Sequence, residues 1–130
     1  MPFDLAESFL VAAESEIGAR LPESYRSSML RSNGGELEVD DESWQQYPIA
    51  DNSDRKRFSR STNHIILETK GCLTWPRFPR EAIAIAGNGS GDQLVFIKTN
   101  GSFESAVYCW LHETGSLKKV ANDFSEIPAL

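Results

Sequence analysis

The sequence predicts an α+β fold in which helices come first and a meander of antiparallel strands follows. Three observations carry this. The first third shows apolar residues at helical spacing, the last third alternates short β-rich runs with turn signals, and no linker or repeat divides the 130 residues. That length suits one compact domain over residues 1–130, long enough to bury a core.

The first helix is marked by Asp4 as a cap, with Glu7 at capping-box spacing. Phe9, Leu10, Ala13 and Ile17 form its apolar side, and Glu7, Glu14 and Glu16 its wet side. Gly18 stops it. "LPESYRSSMLRSNGG" opens a second helix with Pro22 in its first turn and Tyr25, Met29 and Leu30 inward. Asn33-Gly34-Gly35 ends that helix.

From Glu36 to Asp54 the chain changes character: seven carboxylates, no Lys or Arg, and two aromatics, Trp44 and Tyr47. Leu37 and Val39 alternate with acids, which predicts a short strand running into a loop. The order of the acids does not follow the calcium-loop pattern, so a solvated face is the better reading, and no metal site is expected. Arg55, Lys56, Arg57 and Arg60 follow at once; such a cluster solvates a helix end or pairs with neighbouring carboxylates.

"STNHIILETKG" reads as a helix capped by Ser61 or Thr62, with Ile65, Ile66 and Thr69 inward and His64 structural or exposed. Pro76 and Pro79 make "LTWPRFPR" a turn region. Then come the strands "AIAIA" and "QLVFIK", a hairpin signal at Asn100-Gly101, and "AVYCWL" with Val107, Cys109 and Leu111 on one face and Tyr108 and Trp110 on the other. "LKKV" makes a last short strand, and "NDFSEIPAL" a helical turn capped by Asn122 or Asp123.

Between the first two of those strands lies "GNGSGD". A dinucleotide or P-loop turn leads from a strand into a helix, whose N-terminus holds the phosphate. Here Gly91 leads into an apolar, β-branched strand, the glycine spacing is wrong for the Rossmann fingerprint, and Asp92 would repel a phosphate. Ser90 fails as a nucleophile elbow because Asn88 stands where glycine is needed. The loop therefore reads as a hairpin turn in which Asp92 bonds the turn's own amides, and no nucleotide or other cofactor is expected. Gly18, Gly34 and Gly91 are expected to sit where other residues strain the backbone.

Nineteen acidic residues against 13 basic give a net charge of −6, which argues against nucleic acid as a partner and suits either a basic protein partner or plain solubility. No apolar run is long enough to span a bilayer, and the acidic start "MPFDLAESFL" lacks the basic segment of a signal peptide, so a cytoplasmic location is expected. Cys72 and Cys109, isolated and without C-x-x-C spacing, are expected to be free and buried.

Glu14, Gly18, Leu21, Pro22 and Tyr25, followed by Asn33-Gly34-Gly35, make up a helix running into L-P-x-x-Y and a second helix ending in N-G-G. Trp44, the stretch from Ile83 to Phe96 with its G-x-G-D turn, "VYCWLHETG" and Phe124 follow in order. In this sequence of motifs, from about Glu14 to Phe124, the chain resembles the SUKH superfamily, which includes many bacterial immunity proteins and a fungal regulator of cell-wall synthesis. The resemblance implies a mixed, largely antiparallel sheet flanked by helices, and binding without catalysis. It implies an immunity protein that neutralises a cognate toxin, a nuclease among the candidates; a regulatory interaction scaffold like the fungal relative is the alternative. The shared motif residues look structural, and none carries over as a binding residue.

The partner-binding surface is expected on the acidic stretch, at Glu38, Asp40, Asp41, Glu42, Trp44, Tyr47, Asp51 and Asp54. Two readings stand for Trp44: an exposed anchor, or a plug packed beneath the loop. The partner is expected to be a basic toxin protein, with the chain itself a monomer or weak homodimer.

Overall fold

The computed structural model describes residues 2–130. Helix α1 (Glu7–Ile17) ends as predicted at Gly18, whose φ of 85° lets its N–H reach Glu14 O at 2.8 Å. Its start differs from the expectation. Ala6 is the N-cap and no side chain caps the helix, because the Asp4 carboxylate lies too early and binds Arg57 Nη2 at 3.0 Å instead. Helix α2 (Glu23–Arg31) follows Pro22, which occupies the N-cap position. Tyr25 and Met29 are fully buried, and the Tyr25 ring meets Phe96 and Phe124 edge-on at 5.2 and 5.1 Å.

Glu14 is the clearest departure in this region. Predicted on the wet side of α1, it is 9% exposed and faces Arg26 of α2. A carboxylate tolerates burial only when paired and hydrogen-bonded, and Arg26 supplies both.

The acidic stretch folds into a second strand rather than a loop. Strands β1 (Gly35–Val39) and β2 (Glu42–Gln46) pair antiparallel about Asp40 and Asp41, with Leu37 opposite Trp44. Helix α3 (Arg55–Arg60) is capped by Asp54, whose carboxylate accepts from the Arg57 amide at 2.8 Å. Helix α4 (Ile65–Cys72) is capped by His64, not by Ser61 or Thr62: His64 Nδ1 accepts from the Leu67 amide at 3.2 Å. Ser61 is instead buried and bonded to the Asp51 amide.

Strands β3 (Ala82–Gly87), β4 (Gln93–Thr99), β5 (Ser102–Phe103), β6 (Val107–Trp110) and β7 (Leu117–Ala121) complete one sheet in the order β1-β2-β3-β4-β6-β7, with β5 on β4. Every pairing is antiparallel. The Asn100-Gly101 turn has both residues at positive φ, as a two-residue hairpin needs. Leu111 lies beyond β6 and is 36% exposed, so it does not join the face of Val107 and Cys109.

Irregular register within β3 and β6 bends the sheet. One face, carrying Leu37, Trp44, Ile85, Leu94, Phe96 and Val107, packs with residues of α1 and α2 into the main core. The other carries Ala82, Ala84, Val95 and Trp110, and is covered by Phe78 and Cys72. Trp75 stacks on Trp110 from outside at 5.9 Å. A 3₁₀ turn (Phe124–Glu126), capped by Asp123, delivers residues 128–130 to the outer edge of β1. There Glu38 N donates to Pro128 O at 3.0 Å and Leu130 N to Glu36 O at 2.9 Å.

Candidate functional site: the acidic hairpin

The β1–β2 hairpin projects its acids in two directions. At the tip, Asp40 and Asp41 have φ of 52° and 62°, the left-handed backbone that a two-residue hairpin requires. Glycine, asparagine and aspartate enter that region most readily, so an Asp-Asp pair suits the turn. Along β1, Glu36 and Glu38 alternate with the buried Leu37 and Val39, and stand opposite Gln45 and Ser43 on one face. The Ser43 hydroxyl donates to Glu36 at 2.9 Å.

Neighbouring elements extend the tip. Lys118 of β7 reaches Asp40 at 3.2 Å, with both side chains well exposed, so the pair adds little stability. Glu42 accepts from the Asn88 amide group at 3.3 Å, and Asn88 also donates to Asp92 at 3.3 Å. Asp92, from the glycine loop, thereby joins the acids of the hairpin. Its other oxygen accepts from the His112 amide at 3.1 Å and meets His112 Nδ1 at 2.7 Å. An ionised carboxylate only accepts, so Nδ1 carries the hydrogen. Burial opposes the charge on Asp92, but the bonds from His112 and Asn88 prevail and hold its carboxyl below the usual range.

This corrects the reading of the glycine loop. Asp92 ties that loop to the turn between β6 and β7; it is Asn88 that bonds the glycine turn itself, accepting from the Ser90 amide at 3.0 Å. Gly91, at φ 111°, is the bed for the His112 ring: a Cβ there would lie 3.0 Å from it. The sequence signal for the link was the G-D pair alone, because its partner is 20 residues away.

The remaining sequence-predicted residues divide by exposure. Glu38, Asp40, Asp41 and Glu42 share the hairpin and are open to solvent, Glu38 in part. Trp44 is 2% exposed and packs inward opposite Leu37, so of its two readings the plug is the one observed. Tyr47 is half-buried, donates its hydroxyl to Gln93 at 2.8 Å, and has that hydroxyl pushed up to about 12 by burial. Asp51, 2% exposed, accepts from Ser53 and faces Arg57 at 3.4 Å. Asp54 caps α3. These last four stand apart from the hairpin's acidic face.

The basic cluster is largely occupied as well. Arg57 meets Asp4, Asp51 and Asp54 at 3.0, 3.4 and 3.6 Å, and with Lys56 and Arg60 it surrounds the Phe3 ring. Among the described residues no group of three His, Cys, Asp or Glu is placed to hold a metal ion, and no helix is long and apolar enough to cross a membrane. Cys72 and Cys109 are free and buried.

Residues 5–127 match the family model described as SMI1 / KNR4 family (SUKH-1). No curated protein matches the chain.

Proposed function

Since the chain belongs to the SMI1 / KNR4 family (SUKH-1), we propose that it is a non-catalytic immunity protein that binds a cognate bacterial toxin and blocks it through the acidic hairpin. Membership supports a role among the immunity proteins and related regulators of that family. The observation that carries the specific reading is the exposed Asp40-Asp41 turn, backed by Glu42 and, through Asn88, Asp92. Of the three exposed carboxylates at the tip, only Asp40 has a cationic partner among the described residues, Lys118, which leaves charge there for a partner to meet. A row of carboxylates suits a basic protein surface, including that of a nuclease, whose phosphate-binding groups it would occupy.

The test is co-expression with the toxin encoded beside the gene. The wild-type chain is expected to co-purify with that toxin and to protect the cell. The triple variant Asp40→Lys, Asp41→Lys, Glu42→Lys is expected to lose protection at normal expression level. Full protection by the triple variant places the docking face elsewhere on the domain. Absence of any toxin partner, with capture of cellular enzymes instead, favours the regulatory scaffold.

A further inference from the structure

The sheet ends on β1 at one side and on β7 at the other. Residues 128–130 bond along the outer edge of β1, but among the described residues no group bonds to the outer edge of β7. Register decides which backbone groups are left free there. Bonded and non-bonded pairs alternate along an antiparallel ladder. The Leu111 amide donates to Ser116 O at 2.9 Å, so the next bonded pair is Cys109 with Lys118. Leu117 and Lys119 therefore turn their N–H and C=O groups away from β6, and both residues are exposed.

The side chains along this edge are of two kinds. Leu117 lies opposite Trp110, and Trp75 stacks on that indole from outside. Leu117 and Trp75 are 42% and 40% exposed, an apolar shelf beside the edge. Lys118 and Lys119, adjacent in the strand, point to opposite faces of the sheet. Lys118 reaches Asp40 at 3.2 Å; Lys119, opposite Tyr108, meets no carboxylate among the described residues.

An open edge is a template for another strand, and its side chains select which one. A second copy pairing antiparallel about Lys119, the middle of β7, would set lysine opposite lysine, which is destabilising. Carboxylates at the same places would be attracted. We propose that the outer edge of β7 takes an extended acidic segment of a partner protein as an added strand. The segment's backbone pairs with Leu117 and Lys119, its carboxylates meet Lys118 and Lys119, and an apolar side chain lies over Leu117 and Trp75. The edge touches the hairpin tip only through Lys118 and selects the opposite charge, so this inference does not rest on the proposed toxin contact.

Amide chemical-shift mapping of the full chain tests it, with the end-blocked peptide Thr-Glu-Glu-Val-Thr-Glu-Glu-Val-Thr as the probe. Saturable binding is expected, with downfield movement and slowed hydrogen exchange at the Leu117 and Lys119 amides. The Lys118 amide, already turned to β6, is expected to change little. Replacing glutamate by glutamine in the peptide, or Lys118→Ser with Lys119→Ser in the chain, is expected to weaken binding about fivefold or more. N-methylating the peptide throughout removes strand pairing but no charge, and is expected to abolish binding. No saturable shift up to about 10 mM peptide, a weak affinity on any scale, overturns the proposal. So does equal binding by the glutamine peptide, the N-methylated peptide or the lysine variant. Shifts at Leu117 and Lys119 that grow with protein concentration alone overturn it in favour of a second copy.

Discussion

Glu14 and Arg26 meet in the interior between α1 and α2, Arg26 Nε lying 2.9 Å and Nη2 3.2 Å from the two oxygens of one carboxylate. The Arg26 side chain is 3% exposed and that of Glu14 10%. The same carboxylate accepts from the Leu21 amide at 2.7 Å, so it fixes the turn between the helices as well as the pair. Glu7 approaches Arg26 only to 3.6 Å and from solvent.

Removing Glu14 therefore strands a buried guanidinium. Glu14→Ala is expected to destabilise the fold by about 3–5 kcal/mol, and Glu14→Gln by less, because the amide oxygen still serves Leu21. Urea unfolding of the three proteins checks this. Equal midpoints for wild type and Glu14→Ala would show that Glu7 takes over the pairing.

Neutralising the hairpin tip separates charge from shape. Asp40→Asn, Asp41→Asn and Glu42→Gln together keep side chains that tolerate the positive φ of Asp40 and Asp41. Toxin association by the wild type is expected to slow as salt rises, and the neutral triple variant to associate slowly with a flatter salt dependence. Stopped-flow association rates at several ionic strengths measure it. Parallel slopes would mean that the steering charges lie elsewhere.

Asp92 has its carboxyl held below the usual range, so the stability it contributes is full above about pH 4, its unfolded value, and is lost as pH falls through the lower folded value. Asp92→Asn is expected to lower stability at neutral pH by about 1–2 kcal/mol. Below pH 4, near the unfolded carboxylate value, the melting temperature of the variant should fall less steeply than that of the wild type. Asp51 and Asp123 are also held low, so some acid sensitivity remains in both proteins. Superimposable acid profiles would remove Asp92 from the account.

Burial raises both thiols, Cys72 and Cys109, to about 11. A group raised in the folded state contributes stability below its unfolded value that is lost as pH rises toward the folded one. Stability is thus expected to fall between about pH 9 and 11. Tyr47 and Tyr25, both raised by burial, add to the loss at higher pH. A thiol reagent should react slowly at neutral pH and count two sulfhydryls after unfolding. Rapid labelling of the native chain would contradict the burial of either residue.

Local signals in the sequence located the elements well, and long-range partners decided where it misled. Gly18, the Asn100-Gly101 hairpin and the Asp123 cap are legible because each acts within a few residues. Glu14 looked wet because Arg26 sits on another helix, 12 positions on. Asp4 looked like a cap because Arg57, 53 positions on, cannot be seen from it. Strand β2, "ESWQQ", has little alternation to betray it, and its turn lacks the glycine that marks most hairpins. At the candidate site the acids of the tip were legible from charge alone. Asp92 was not, since only folding brings it beside Glu42 through Asn88.

The strap of residues 128–130 along β1 has a consequence for synthesis on the ribosome. Strand β1 is the first strand to leave the exit tunnel, yet the chain that covers its outer edge follows some ninety residues later, roughly 5 to 20 s at ordinary elongation rates. Throughout that interval the nascent hairpin has an open edge able to pair with another chain. Its file of like charges, Glu36, Glu38, Asp40, Asp41 and Glu42, repels its own copies on neighbouring ribosomes. The acids of the hairpin thus guard the unfinished polypeptide before any partner is met.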